Sequence, residues 1–221
     1  MNSRFEFDLE LKNGKIGALG LQTSSYDYII GADEAGRGPG AGGVFAGAVC
    51  FKNNFNIKDF EKLNDSKKIS EKIREELFSK IQEQTFFGIT CIEVKEIEKI
   101  NILNASLSAM KKSIYKVLEQ LGNIKDKKIL ILIDGNKKIN FEENFDVQSI
   151  IKGDFKSASI AAASILAKVS RDNYMKELDK KYPQYNFKKN KGYLTKEHIK
   201  AIKQNGASAV HRKSFLKNIL N

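Results

Sequence analysis

Residues 28–51 read YIIGADEAGRGPGAGGVFAGAVCF. Two apolar runs, each of strand length, flank a loop almost bare of side chains. The first run ends on adjacent carboxylates, Asp33 and Glu34, with Arg37 following among glycines. The stretch therefore predicts a strand, an acidic strand end, a glycine-rich loop and a second strand from Val44 to Phe51. The pattern recurs downstream. KILILI (128–133) is a buried-type strand that stops at Asp134-Gly135, and a shorter run, Val147 to Ile151, precedes Asp154.

The intervals between these strands read as helices. Ser70 stands before Ile73, Leu77 and Ile81, a capped helix with one apolar face. Asn104 is the expected cap of a helix whose Leu107, Ile114, Leu118 and Leu121 share a stripe. Ser157 to about Lys180 predicts a long helix with a small-residue face (Ala158, Ala161, Ala162, Ala163, Ser164, Ala167) suited to close packing on a sheet. TFFGITCIEV (85–94) reads as another strand, Thr195 as a further cap, and the C-terminal region as helical. Strands cluster early and alternate with helices later, which argues for an α/β fold with a mixed central β-sheet flanked by helices. Residues 1–25 are weakly patterned and read as an N-terminal extension; residues 26–221 read as one domain, without repeats or low-complexity linkers.

Of the 221 residues, 38 are Lys or Arg and 27 Asp or Glu, a net charge of +11. That excess suits a polyanion, because each phosphate neutralised by a cation releases counterions, although a lysine-rich solvated surface gives the same number. Cys50 and Cys91 are too few for a disulfide framework or a zinc site and read as free thiols of a reducing compartment. The N-terminal MNSRFEFDLE is too acidic for a signal peptide, and no run approaches the ~18 apolar residues of a membrane span. The expectation is a cytoplasmic, monomeric protein.

Acids at strand ends can gather on one edge of an α/β sheet. Two like charges ~4 Å apart repel by about 4 kcal/mol at an effective dielectric of 20, so pKa values rise or a cation enters. Asp33, Glu34, Asp134 and Asp154 are the candidate group, and oxygen donors of this kind suit Mg²⁺ or Mn²⁺ in a two-metal site for phosphodiester hydrolysis. Singly, each acid has a structural explanation: Asp before Gly is turn chemistry, and Asp154 suits a helix N-terminus. Asp172 lies 18 residues beyond Asp154, about 27 Å along a helix, too far to join the group; it reads as an ion-pair or a solvated residue. The glycines around Arg37 allow backbone to approach a sugar or phosphate closely. The loop runs into a second strand and not a helix, so it is neither the nucleotide-binding GxGxxG, whose spacing Gly38, Gly40 and Gly43 share, nor a P-loop with its Gly-Lys-Ser/Thr.

These residues resemble a known family, ribonuclease HII, the type 2 ribonuclease H. The resemblance rests on GADEAGRGPGAGG (31–43), LNDSKKISEKIREELF (63–78), INILNASLSAMKKSI (100–114), LIDGN (132–136), IIKGDFKSASIAAASILAKVSRDNYM (150–175), YPQYNFKKNKGYLTKEH (182–198) and HRKSF (211–215), in the family's order. It implies an RNase H-like fold and hydrolysis of the RNA strand of RNA–DNA hybrids. It further implies incision 5′ to a single ribonucleotide in duplex DNA, leaving 5′-phosphate and 3′-hydroxyl ends, as needed to remove ribonucleotides and RNA primers. By position, Asp33, Glu34, Asp134 and Asp154 match the family's metal-binding catalytic acids. Gly36, Arg37 and Gly38 match the motif whose backbone reads the 2′-hydroxyl, and Tyr193 matches the tyrosine that stacks on the neighbouring deoxyribose.

Two departures stand out. The family's loop commonly continues Leu-Ala-Gly-Pro, where this chain has Gly40-Ala-Gly-Gly43, predicting a looser loop; KGYGT is replaced by KGYLT, with Leu194 after the tyrosine. Ser66, Lys67, Ser164 and Lys168 are candidate phosphate contacts, as are Lys152 and Lys191; Ser164 and Lys168 share a helix face. His198, beside Glu197, is expected at the surface, and His211-Arg212 in a structural or backbone-contacting role. The nearest alternative, ribonuclease HIII, carries an additional N-terminal domain for which residues 1–25 are short. A non-catalytic nucleic-acid-binding domain is the rival outside the class. The C-terminal FLKNILN shows no motif for a replication clamp.

Overall fold

The run before Asp33 forms β1 (Tyr28–Ala35), and the run after the glycines returns antiparallel beside it as β2 (Val44–Phe51), with Asp33 opposite Gly47. These assignments come from a computed structural model describing residues 2–15, 25–66 and 68–220. β3 (Thr85–Ile92) extends the antiparallel edge, while β4 (Ile129–Asp134) and β5 (Asp146–Ile150) add in parallel on the other side. Among the described residues the sheet has five strands in the order β3-β2-β1-β4-β5. This is the mixed sheet expected of the RNase H-like fold.

Period-two alternation divides the core. Ile129, Ile131 and Ile133 of β4 face the layer formed by α4 (Ile102–Leu121), with Ala105, Ala109, Ile114 and Val117. Leu130 and Leu132 face the opposite layer, where they meet Ile160 of α6 (Ala158–Lys181) and Leu11 of α1 (Ser3–Lys12). The alanine face of α6 lies directly on β1 and β2, because a Cβ at Gly31 or Gly47 would strike the helix backbone. α2 (Glu71–Gln84) is capped by Ser70 and buries Leu77 and Ile81 as its spacing predicts.

Several boundaries shift for identifiable reasons. Asn101, not Asn104, caps α4: its side chain accepts the Asn104 N–H, and its φ of 67° with ψ of 165° is a sharp backbone turn that few residues other than glycine adopt. The strand expected over 85–94 ends at Ile92, and Val94 opens α3 (Val94–Ile100). Asp154 sits in a separate single turn, α5 (Gly153–Lys156), and Ser157 caps α6 by accepting the Ile160 N–H.

The leading segment is not idle. α1 buries Phe5 and Leu11, and its Asp8 accepts hydrogen bonds from the Ser159 N–H at 2.8 Å and hydroxyl at 2.7 Å, at the start of α6. Beyond α6, the short α7 (Phe187–Asn190) and α8 (Lys196–Asn205) pack with the end of α6 around Met175, Tyr185, Phe187 and Ile202. Ala41 of the glycine loop is part of that same cluster. The chain closes with α9 (Lys217–Leu220). No described helix is long and apolar enough to cross a membrane, and Cys50 and Cys91 are free thiols.

Candidate active site

The parallel pairing of β1 with β4 places Ala32 beside Ile133. One residue further on, Asp33 and Asp134 leave the same edge of the sheet together. Asp33 is buried, and desolvation, with the Glu34 and Asp134 charges beside it, holds its carboxyl well above the ordinary range. Support comes from below. The Glu34 N–H donates to Asp33 Oδ1 at 2.7 Å, and the Ser164 hydroxyl also bonds the carboxylate. Asp134 Oδ1 accepts the Gly153 N–H at 2.7 Å. That bond ties the β4 edge to the turn after β5, where Asp154 follows Gly153 and is buried in its turn. Glu34 is paired with Arg37, Nη1 to Oε1 3.2 Å.

Asp33, Glu34 and Asp134 thus form one electrostatic group with Asp154 joined through the backbone. Among the described residues, no three His, Cys, Asp or Glu side chains make a finished metal cage. The donor set nonetheless fits a hard divalent cation: its side-chain donors are all carboxylate oxygens, and a cation would offset the desolvation and the repulsion that together drive Asp33 towards protonation.

Next to the acids lies the glycine loop, and two arginines hold its carbonyls. Arg212, fully buried, donates through Nη2 to Gly36 O (2.7 Å), through Nη1 to Arg37 O (3.1 Å) and Pro39 O (2.8 Å), and through Nε to Gly42 O (2.9 Å). Arg171 donates to Ala41 O and Gly43 O. The loop is therefore not the looser element that Gly40–Gly43 suggested; residues 39–43 are buried, and only Arg37 and Gly38 are open to solvent. Gly36 has φ +100°, and a Cβ there would overlap Arg171, so the protein itself demands glycine. At Gly38 a Cβ would meet only Tyr193 Cε1, at an ordinary 3.5 Å.

Tyr193 is 52% exposed, beside the loop and not in the core. Its neighbour Leu194 is not among the residues with positive φ, so the KGYLT departure carries no backbone strain. The Leu194 side chain lies over Gly40, where a Cβ would stand 2.7 Å from its carbons, and the Gly40 N–H bonds Gly192 O at 2.9 Å.

The remaining sequence candidates separate. Ser66 and Ser164 are buried, their hydroxyls 3.0 Å apart, so they stand behind Asp33. Lys168 pairs with Asp172 at 2.6 Å, which gives Asp172 the ion-pair role expected of it. Lys191 and Lys152 both adopt left-handed backbone at turns, at the end of α7 and the start of α5. Lys67 lies outside the described residues. His198 is a correction: it is fully buried, with Nε2 3.0 Å from His211 Nε2, because the segment around His211 packs over α8. Sequence reasoning also missed Arg4, whose Nε donates to the Asp154 carbonyl at 2.9 Å and whose charge faces Asp154 and Asp65. An arginine in an unpatterned leader carries no signal of that contact. Two further apolar side chains, Ile151 and Phe155, are exposed on either side of Asp154.

Comparison with known proteins gives the family and the fold. The family model described as Ribonuclease HII matches residues 30–218. A ribonuclease HII from Fusobacterium nucleatum is 49% identical over 204 residues, covering 91% of this chain and 92% of its own. A chain from the structure of the PCNA:RNase HII complex from Archaeoglobus fulgidus shares the fold at a TM-score of 0.66 and 21% identity, over 84% of this chain and 93% of that one. Bst-RNase HIII, solved in complex with Mn²⁺, shares it at 0.61 and 18%, over 81% and 63%.

Proposed function

The chain belongs to the ribonuclease HII family, and we propose that, within that family's endonucleolytic hydrolysis of RNA paired with DNA, it also incises 5′ to single ribonucleotides in duplex DNA. The observation that carries the proposal is the contact of two features that the sequence separates by more than 150 residues. The exposed Tyr193 ring stands against Gly38, beside the buried acid edge. A reader of one hydroxyl and a planar ring on the next sugar would register an RNA-to-DNA junction and no base sequence.

Each part of the chain has a task in that reading. Asp33, Glu34, Asp134 and Asp154 would hold two divalent ions, Mg²⁺ or Mn²⁺, and the Mn²⁺ complex of the Bst-RNase HIII fold neighbour supports that choice. When bound, the ions supply activation of the attacking water and stabilisation of the leaving 3′ oxygen. Ser66 and Ser164 steady Asp33, and the Gly153 N–H steadies Asp134. Because Arg212 and Arg171 take the loop carbonyls inward, the N–H groups of Arg37 and Gly38, which meet no acceptor among the described residues, are left for a ribose hydroxyl or a phosphate. The cationic surface holds the duplex backbone, with Lys152, Lys168 and Lys191 as contacts.

The test is a DNA duplex bearing one ribonucleotide, incubated with Mg²⁺ or Mn²⁺, with the cut mapped. One nick 5′ to the ribonucleotide is the expected product. Cleavage of RNA tracts but not of the lone ribonucleotide would remove the junction-reading roles while leaving the nuclease. Asp134→Asn should abolish cleavage and retain hybrid binding; loss of folding would instead make Asp134 structural.

A further inference from the structure

The two histidines of this chain lie in a box of aromatic rings behind Tyr193. Tyr185 stands edge-on to His211 at 4.7 Å, and Phe187 edge-on to His198 at 5.4 Å. Their hydrogen bonds can be read in only one direction. The Ser208 backbone N–H, which can only donate, points at His211 Nδ1 at 2.9 Å, so that nitrogen is bare. The Tyr193 carbonyl, which can only accept, lies 2.8 Å from His198 Nδ1, so that nitrogen carries a proton. Two neutral rings so constrained leave a proton on His211 Nε2 and a lone pair on His198 Nε2. Those are the two atoms found 3.0 Å apart. Both ends, fixed independently, predict the same bond in the middle.

The pair spans two structural units. The backbone around His211 is bonded to the glycine loop: His211 bridges Ala41, the Arg212 N–H donates to Gly40 O at 2.8 Å, and the Gly42 N–H donates to Val210 O at 2.8 Å. His198, at the start of α8, holds the carbonyl of Tyr193, which also accepts the Thr195 N–H at 2.9 Å. We propose that His198 and His211 are positioning residues, a one-way hydrogen-bonded pair of neutral imidazoles. The pair fixes the Tyr193 turn to the segment that holds the glycine loop, so that ring and loop meet the substrate as one unit. Burial, which depresses the pKa of both rings, agrees with their neutrality. The purpose of the pair rests on the junction-reading role of Tyr193; its hydrogen-bond direction does not.

The experiment has two arms on the full chain. Long-range ¹H–¹⁵N correlation at neutral pH sees only two imidazoles. His198 should show the Nδ1–H tautomer and His211 the Nε2–H tautomer, assigned with single variants. A protonated ring, or two rings in the same tautomer, would overturn the proposal. In the second arm, His198→Leu should slow incision at a lone ribonucleotide by about tenfold to a hundredfold, the scale of a misplaced group. His198→Asn, which keeps a donor near the Nδ1 position, should recover most of the loss, and it replaces the leucine variant if that one fails to fold. Neither change should matter further once Tyr193→Ala is present. An equal added loss in the Tyr193→Ala background would make the histidines merely structural and overturn the positioning role. If Tyr193→Ala alone leaves incision intact, the reading of Tyr193 fails and the pair's purpose with it, whatever tautomers the first arm reports.

Discussion

Gly36 and Gly38 look equivalent in the sequence and are not equivalent in the fold. Gly36→Ala forces a side chain into positive φ and into Arg171, so it should lower stability by about 1–2 kcal/mol or more, measured by urea unfolding. Gly38→Ala has room. It should melt like the wild type while losing incision at a lone ribonucleotide, and unchanged incision would show that the substrate does not approach there. His211 makes a separate prediction. Burial and the neighbouring His198 push its imidazole from 6.5 down to about 4. Its contribution to stability, roughly 3 kcal/mol, is complete above pH 6.5 and lost as pH falls through about 4. Asp8 runs the other way, raised by desolvation from 3.8 to about 6; its contribution is complete below 3.8 and lost as pH rises through 6. The two slopes oppose each other, so Asp8→Asn should make unfolding free energy climb more steeply than wild type between pH 4 and 6. Equal slopes would show that Asp8 does not titrate in that window. The strand-end positions of Asp33 and Asp134 were legible because each follows an apolar run. The burial of His198 was not, because it is decided by a segment thirteen residues away that no helical spacing encodes.

At the scale of elements, the strands and the long helix follow from periodicity and caps, and errors fall where a local rule met a competing one. Asn104 has the right residue type for a cap, but the sharp turn between α3 and α4 falls at Asn101, where φ is 67° and ψ 165° and the side chain faces the first free N–H groups of α4. α1 was illegible because its weak apolar pattern becomes a face only when α6 supplies the other side. The departures at Gly40 and Leu194, read separately as oddities, are one contact between the glycine loop and the tyrosine turn. Gly40→Ala should therefore displace that turn and slow lone-ribonucleotide incision by about tenfold, and Gly40→Ala with Leu194→Ala should recover it. A double variant no better than the single would show that the contact does not set the tyrosine.

For the whole molecule, the net charge of +11 points to a polyanion without naming the cations that touch it. Lys168 is a case in point: it is 26% exposed and paired with Asp172. If it also meets a phosphate, Lys168→Gln should reduce the slope of log affinity against log salt by about 0.9 for hybrid binding by the Asp134→Asn protein. An unchanged slope would assign Lys168 wholly to Asp172. Asp33, Glu34 and the backbone that would read the substrate come from the first third of the chain, yet Arg212 holds the loop from a position 170 residues beyond Gly42, where burial lowers its guanidinium only to about 10 and leaves it charged. That arrangement sets an order of events during synthesis. A chain still being translated can assemble β1, β2 and their carboxylates while the carbonyls of Gly36, Arg37, Pro39 and Gly42 wait for a partner not yet made. The nascent protein therefore carries Asp33 and Glu34 before the loop beside them is held, and the loop takes its final shape only once Arg212 has cleared the ribosome.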